Sequence, residues 1–85
     1  MNSKAIGTPA RVALMGFGTV GQSVARILCS GEVPQVQLTH IFNRDVNRKR
    51  VDWVPSSVEW TESADDIINS DASIVIEVVG GIRPA

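Results

Sequence analysis

Gly16, Gly18 and Gly21 are the residues whose types and spacing most directly suggest chemistry, and with Phe17, Thr19 and Val20 between them they spell G-x-G-x-x-G. Where such a run joins a strand to a helix, each glycine has a separate task. The first permits the tight turn, the second lets the backbone approach a pyrophosphate, and the third lets helix and strand pack closely. The anion then rests at the helix N-terminus, held by amides that have no helical acceptor and by the positive end of the macrodipole. No cationic side chain is required there. Three glycines in isolation are equally a plain loop, so the flanking elements must decide.

Those elements have the required order. Arg11-Val12-Ala13-Leu14-Met15 is a short apolar run stopping at a glycine, as expected of a strand buried on both faces of a parallel sheet. From Thr19 to Cys29 the apolar residues Val20, Val24, Ile27 and Leu28 form the stripe of a helix packed on one side. Ser30-Gly31 supplies its stop and Pro34 prevents continuation. Val36 to Phe42 is rich in β-branched and apolar residues and reads as a second strand. Arg11 to Phe42 is therefore a βαβ unit with two parallel strands.

An acid at the end of the second strand would hold the adenosine ribose hydroxyls of NAD. Here Asn43 stands in that place, followed by Arg44. An uncharged residue removes the repulsion toward a 2′-phosphate, and a guanidinium clamps one with two N–H donors, so the pattern leans toward NADP. A shift of two positions would instead make Asp45 the ribose acid and reverse the preference. Arg44, Arg48, Lys49 and Arg50 are four of the eight basic residues, and the last three are equally read as a solvated helical face.

Farther along, Asp45 to Val51 is expected to form a helical turn, Val58-Glu59-Trp60 a short strand, and Ser63 to Asn69 a short helix capped by Ser63. Ser73 to Val79 reads as another strand buried on both faces, ended by Gly80-Gly81. Glu77 is a lone acid in that run, and an ionised carboxylate there needs a partner or the open end of the strand. It is read as a supporting residue near a cofactor crevice. Cys29 is expected to be a small packing residue, and His40 has no second ligand nearby to make a metal or catalytic site.

The 85 residues compare with about 100 to 150 for a common domain. With 44% hydrophobic and 20% charged residues the chain has the composition of a folded protein. A net charge of −1 gives no overall pull toward nucleic acid or a membrane surface, and the single cysteine cannot form an internal disulfide. Met1 to Ala10 has no apolar core of a signal sequence, and no run approaches the roughly 18 apolar residues of a membrane span. The first ten residues are expected to be a flexible leader, 11–85 a cofactor-binding domain, and the setting cytoplasmic.

The glycine run, then Asn43-Arg44-Asp45, then Val75-Ile76-Glu77-Val78-Val79-Gly80-Gly81 with Pro84-Ala85 resemble the NAD(P)-binding domain at the start of homoserine dehydrogenases. The resemblance runs from Arg11 to Ala85. It implies a Rossmann-type, doubly wound α/β fold with a parallel sheet, truncated after the fourth strand. It also implies oxidation of homoserine to aspartate semialdehyde, or the reverse, with NADP or NAD as cofactor. Gly80 and Gly81 would lie beside the nicotinamide ribose. The family's Thr-Ala-Asn-Lys segment, its catalytic lysine and carboxylates, and its substrate and dimerisation domain have no matching positions here, so no catalytic residue is assigned. A homo-oligomer is expected, and the uncovered sheet is expected to expose apolar surface. Two other functions share the same front half: a nucleotide-sensing regulatory module, and another NAD(P)-dependent dehydrogenase or reductase.

Overall fold

The computed structural model describes residues 8–78. Four strands, β1 (Ala10–Met15), β2 (Val36–Phe42), β3 (Glu59–Thr61) and β4 (Ile74–Glu77), form one sheet in the order β3-β2-β1-β4. Every pairing is parallel. Parallel neighbours need a crossover, and the longest is α1 (Thr19–Cys29) between β1 and β2. Two short helices, α2 (Val46–Lys49) and α3 (Ala64–Ile68), flank β3 in sequence. The expected α/β architecture of the Rossmann type is therefore present, with β1 at the centre and the chain crossing over it to reach β4.

The burial of β1 follows from that central place: Val12, Ala13 and Leu14 are all buried, on both faces. Its ladder with β2 skips one residue, because Val12 pairs with Leu38 while Ala13 pairs with His40. The extra residue is Thr39, a buried polar side chain, and its hydroxyl donates to the Val12 carbonyl at 3.2 Å. That bond satisfies a group that would otherwise be costly in the core. The core itself comprises Leu14, Phe17, Ala25, Leu38, Ile41, Val54 and Val58.

Several expectations need correction. The face of α1 that meets the sheet is Gly21, Val24, Ala25 and Leu28, whereas Val20 and Ile27 are 60% and 49% exposed. Small residues at positions 21 and 25 let the helix lie close, and this rotates the stripe by about one residue from the one that hydropathy alone selects. β1 begins at Ala10, whose N–H donates to the Gln35 carbonyl, so the last residue of the expected leader belongs to the sheet. Residues 1–7 lie outside the described residues.

β4 is not buried on both faces. Ile74 and Val75 are 41% and 49% exposed, since among the described residues β4 is an edge strand that pairs only with β1. Ser63 occupies the N-cap position of α3, but its side chain makes no cap hydrogen bond. Thr61 does the local work: its hydroxyl accepts from the Ser63 N–H and also bonds the Asp66 carboxylate. The third strand falls one residue later than expected, with Val58 outside it as a core residue. Val54 and Trp53 also pack in the core region, from a loop in which the sequence pattern marks no element.

Candidate dinucleotide-binding site

The glycine turn leaves the carboxyl end of β1 and is held from both sides. The Gly16 N–H donates to the Phe42 carbonyl at 2.8 Å, and the Val78 N–H donates to the Met15 carbonyl at 2.8 Å. The turn thus stands where the chain connections diverge to the two sides of β1, the topological switch point at which open α/β sheets bind ligands.

Gly16 has φ 114°, a backbone conformation that side chains make costly. Gly21 is required for space instead: a Cβ there would lie 2.2 Å from the Gly16 carbonyl oxygen and 3.4 Å from a Val78 methyl. Helix, turn and the end of β4 meet at that point. Gly18 differs from both, because a Cβ on it would have nothing within 4 Å. It faces open space and serves as the N-cap of α1, with no side-chain cap and no acidic residue in the first turn. The amides of Thr19, Val20 and Gly21 have no acceptor within the helix by geometry, and nothing negative on the first turn competes with an incoming anion. The turn therefore fits a pyrophosphate through its backbone.

Phe17 has another task as well. Its ring is fully buried and packs against Trp60, edge to face with centroids 4.9 Å apart, and against Trp53 at 6.0 Å. Any contact of Phe17 with a ligand is therefore through its backbone. Arg26, in the last turn of α1, lies over the Trp53 ring at 4.2 Å. Neither tryptophan was singled out by spacing, since the partners lie far apart in sequence. An aromatic residue inside the glycine run was the one available signal.

At the end of β2, Asn43 is half-buried and Arg44 is exposed. The Asn43 Oδ1 accepts the Phe17 N–H at 3.2 Å, and its Nδ2 donates toward the Asp45 carbonyl at 3.4 Å. Glu62 fixes the start of α2 by accepting the Val46 N–H at 2.9 Å. Among the described residues Arg44 has no hydrogen-bond or ion-pair partner, leaving its guanidinium available at this edge. Gly80 and Gly81 lie outside the described residues. Glu77 is exposed at the last position of β4, paired in register with Met15.

Cys29 lies at the other end of α1, half-buried against the core, and burial pushes its thiol pKa up. It has the packing role expected. His40 sits on β2 with Nε2 3.7 Å from a Glu59 carboxylate oxygen, across the β2–β3 pair and away from the turn. Among the described residues no cluster of three His, Cys, Asp or Glu side chains could hold a metal ion. No helix of those residues is long and apolar enough to cross a membrane.

No protein-family model matches the chain. It is 34% identical over 80 residues to the homoserine dehydrogenase of Bacillus subtilis (strain 168), covering 86% of this chain and 18% of that protein. Two crystal structures of S. aureus homoserine dehydrogenase, at pH 7.5 and pH 7.0, superpose with TM-scores of 0.70 and 0.70 at 32% and 33% identity. They cover 89% and 91% of this chain and 21% of their own. The chain thus spans 18% to 21% of the length of these relatives. Over that span it is homologous to homoserine dehydrogenases and shares their fold.

Proposed function

We propose that this chain is the NAD(P)-binding portion of a homoserine dehydrogenase, whose complete enzyme interconverts homoserine and aspartate semialdehyde by hydride transfer. The observation that carries the reading is the bare N-terminus of α1, where Gly18 has open space in place of a side chain and no acidic residue stands in the first turn. In the run Gly16, Phe17, Gly18, Thr19, Val20 and Gly21, the amides of Thr19, Val20 and Gly21 are offered to the pyrophosphate, Gly18 leaves room for its approach, and Gly16 and Phe17, whose amides are taken by the Phe42 carbonyl and Asn43, shape the turn. Asn43 and Arg44 stand at the adenosine end, and Gly80 and Gly81 are assigned to the nicotinamide ribose by resemblance. The bound nicotinamide supplies the hydride acceptor or donor. The residues of this chain bind and orient it, and no catalytic role is assigned to any of them.

NADP is favoured over NAD, on the uncharged Asn43 and the exposed Arg44. A cytoplasmic homo-oligomer with a separate substrate domain accompanies this reading, as for a biosynthetic dehydrogenase. The test is calorimetric titration of the full-length gene product with NADP and NAD, followed by homoserine-dependent change in nicotinamide absorbance. Binding with turnover supports the proposal. Failure to bind either dinucleotide overturns it, and binding without turnover on homoserine points to the sensing module or to a different dehydrogenase.

A further inference from the structure

We infer that Asn43 is a positioning residue, which serves the cofactor by holding the glycine turn in shape through the Phe17 amide. The inference rests on the dinucleotide reading above and deepens it. In an NAD enzyme the residue at this place turns its oxygens toward the adenosine ribose. Here the Asn43 Oδ1 is turned inward, to the Phe17 N–H, across 26 residues of sequence.

The geometry gives the reason. The β1–β2 ladder makes its last main-chain rung from the Gly16 N–H to the Phe42 carbonyl at 2.8 Å. Main-chain bonds of a parallel ladder serve alternate residues, so the next amide in the turn, that of Phe17, gets no carbonyl from β2. Yet Phe17 is fully buried, and an unmet N–H there would carry the full cost of lost hydration. The Asn43 side chain supplies the extra rung. Its own main chain is pinned in turn, since its N–H donates to the Thr61 carbonyl at 3.0 Å. With the Phe17 ring wedged against Trp53 and Trp60 and its amide bonded to Asn43, the Gly16–Phe17 peptide has one orientation, and the Gln22 Nε2 donates to the Phe17 carbonyl of the next peptide at 3.4 Å. The amides that follow are aimed before any ligand arrives.

Asparagine suits the position better than aspartate on two counts. Its Nδ2 donates toward the Asp45 carbonyl, tying the turn to the loop that carries Arg44, and a carboxylate has no such proton. A carboxylate would also place a negative charge beside the expected 2′-phosphate.

The test uses the full-length gene product with Asn43→Ala and Asn43→Asp, read by amide hydrogen exchange at Phe17, by NAD and NADP affinity, and by the KM for homoserine. In the unsubstituted protein the Phe17 amide is expected to exchange as slowly as those of β1. Asn43→Ala should release that amide and weaken NAD and NADP alike, by about three- to tenfold, with the homoserine KM unchanged. Asn43→Asp keeps an acceptor for Phe17, so it should recover the protection and the NAD affinity while NADP stays weakened. A fast-exchanging Phe17 amide in the unsubstituted protein overturns the inference, as do unchanged dinucleotide affinities in Asn43→Ala or an equal loss for homoserine. If Asn43→Ala does not fold, Phe17 exchange and the NAD affinity of Asn43→Asp decide. Should the unsubstituted protein bind neither dinucleotide, the functional reading falls, and the exchange data still report on the strut.

Discussion

Residues 10–42 and residues 43–78 are both built of strands and helices, yet they are held together differently. The first region has an 11-residue helix between strands of 6 and 7 residues, with boundaries that follow the hydrophobic pattern. The second has helices of 4 and 5 residues and strands of 3 and 4, too short to persist without packing. What anchors it, beside the ladders of β3 with β2 and of β4 with β1, is the packing of Phe17 against Trp53 and Trp60, together with Val54 and Val58 in the core. The lesson is that the glycine turn also packs the two regions together, so under the proposed function its residues bear on stability and binding at once.

The largest test of that packing is Phe17→Ala. It should cost about 3 to 5 kcal/mol in urea unfolding and shift the tryptophan emission, because a fully buried ring is removed from beside two indoles. An unchanged tryptophan environment would show that the second region stands on its own.

The glycines separate packing from binding. Gly21→Ala forces a Cβ against the Gly16 carbonyl oxygen and should destabilise the fold by about 3 kcal/mol. Gly18→Ala meets nothing and should keep stability within about 0.5 kcal/mol, while dinucleotide affinity falls. Equal thermal midpoints for the two variants would break the distinction.

Arg44→Ala should lower the ratio of NADP to NAD affinity in the full-length gene product by about ten- to a hundredfold, the value of a charged hydrogen-bonded pair. A constant ratio would reassign the 2′-phosphate to another residue. Within α3, Ile67 is buried and Ile68 is 74% exposed. Ile67→Ala is expected to lose about 2 kcal/mol or more and Ile68→Ser less than about 0.5, by chemical denaturation. Similar losses would mean that α3 sits in a different rotation.

The smallest effect concerns Cys29. Burial raises its thiol pKa, so the reactive thiolate is scarcer at neutral pH than for a free cysteine. Alkylation should accordingly be slow at neutral pH and accelerate only above the range of an ordinary thiol. Rapid neutral labelling would show that the end of α1 opens readily.

Much of the site was legible because its determinants are local. Three glycines at the right offsets between an apolar run and an amphipathic one require only knowledge of the φ values and close approaches that a side chain forbids. In the structure Gly16 meets the first requirement and Gly21 the second. The same logic located β2 and α1 to the residue. It misjudged which helix face is buried, because hydropathy ranks Val20 above Gly21 and Ala25 while close packing prefers the smaller residues. It read the apolar β4 as buried on both faces, since composition records what a strand could bury and not what covers it.

The sequence by itself determined the order of elements, the place of the glycine turn and the chemical character of its surroundings, all properties carried by residues within about one turn or one strand of each other. Only the tertiary structure decided the partners of Phe17 and the inward direction of Asn43. Each of these depends on a donor meeting an acceptor, or a ring meeting a ring, from another part of the chain. The physical reason is that hydrogen bonds and aromatic packing act over a few ångströms in space whatever the separation along the backbone, and a linear pattern does not encode that distance.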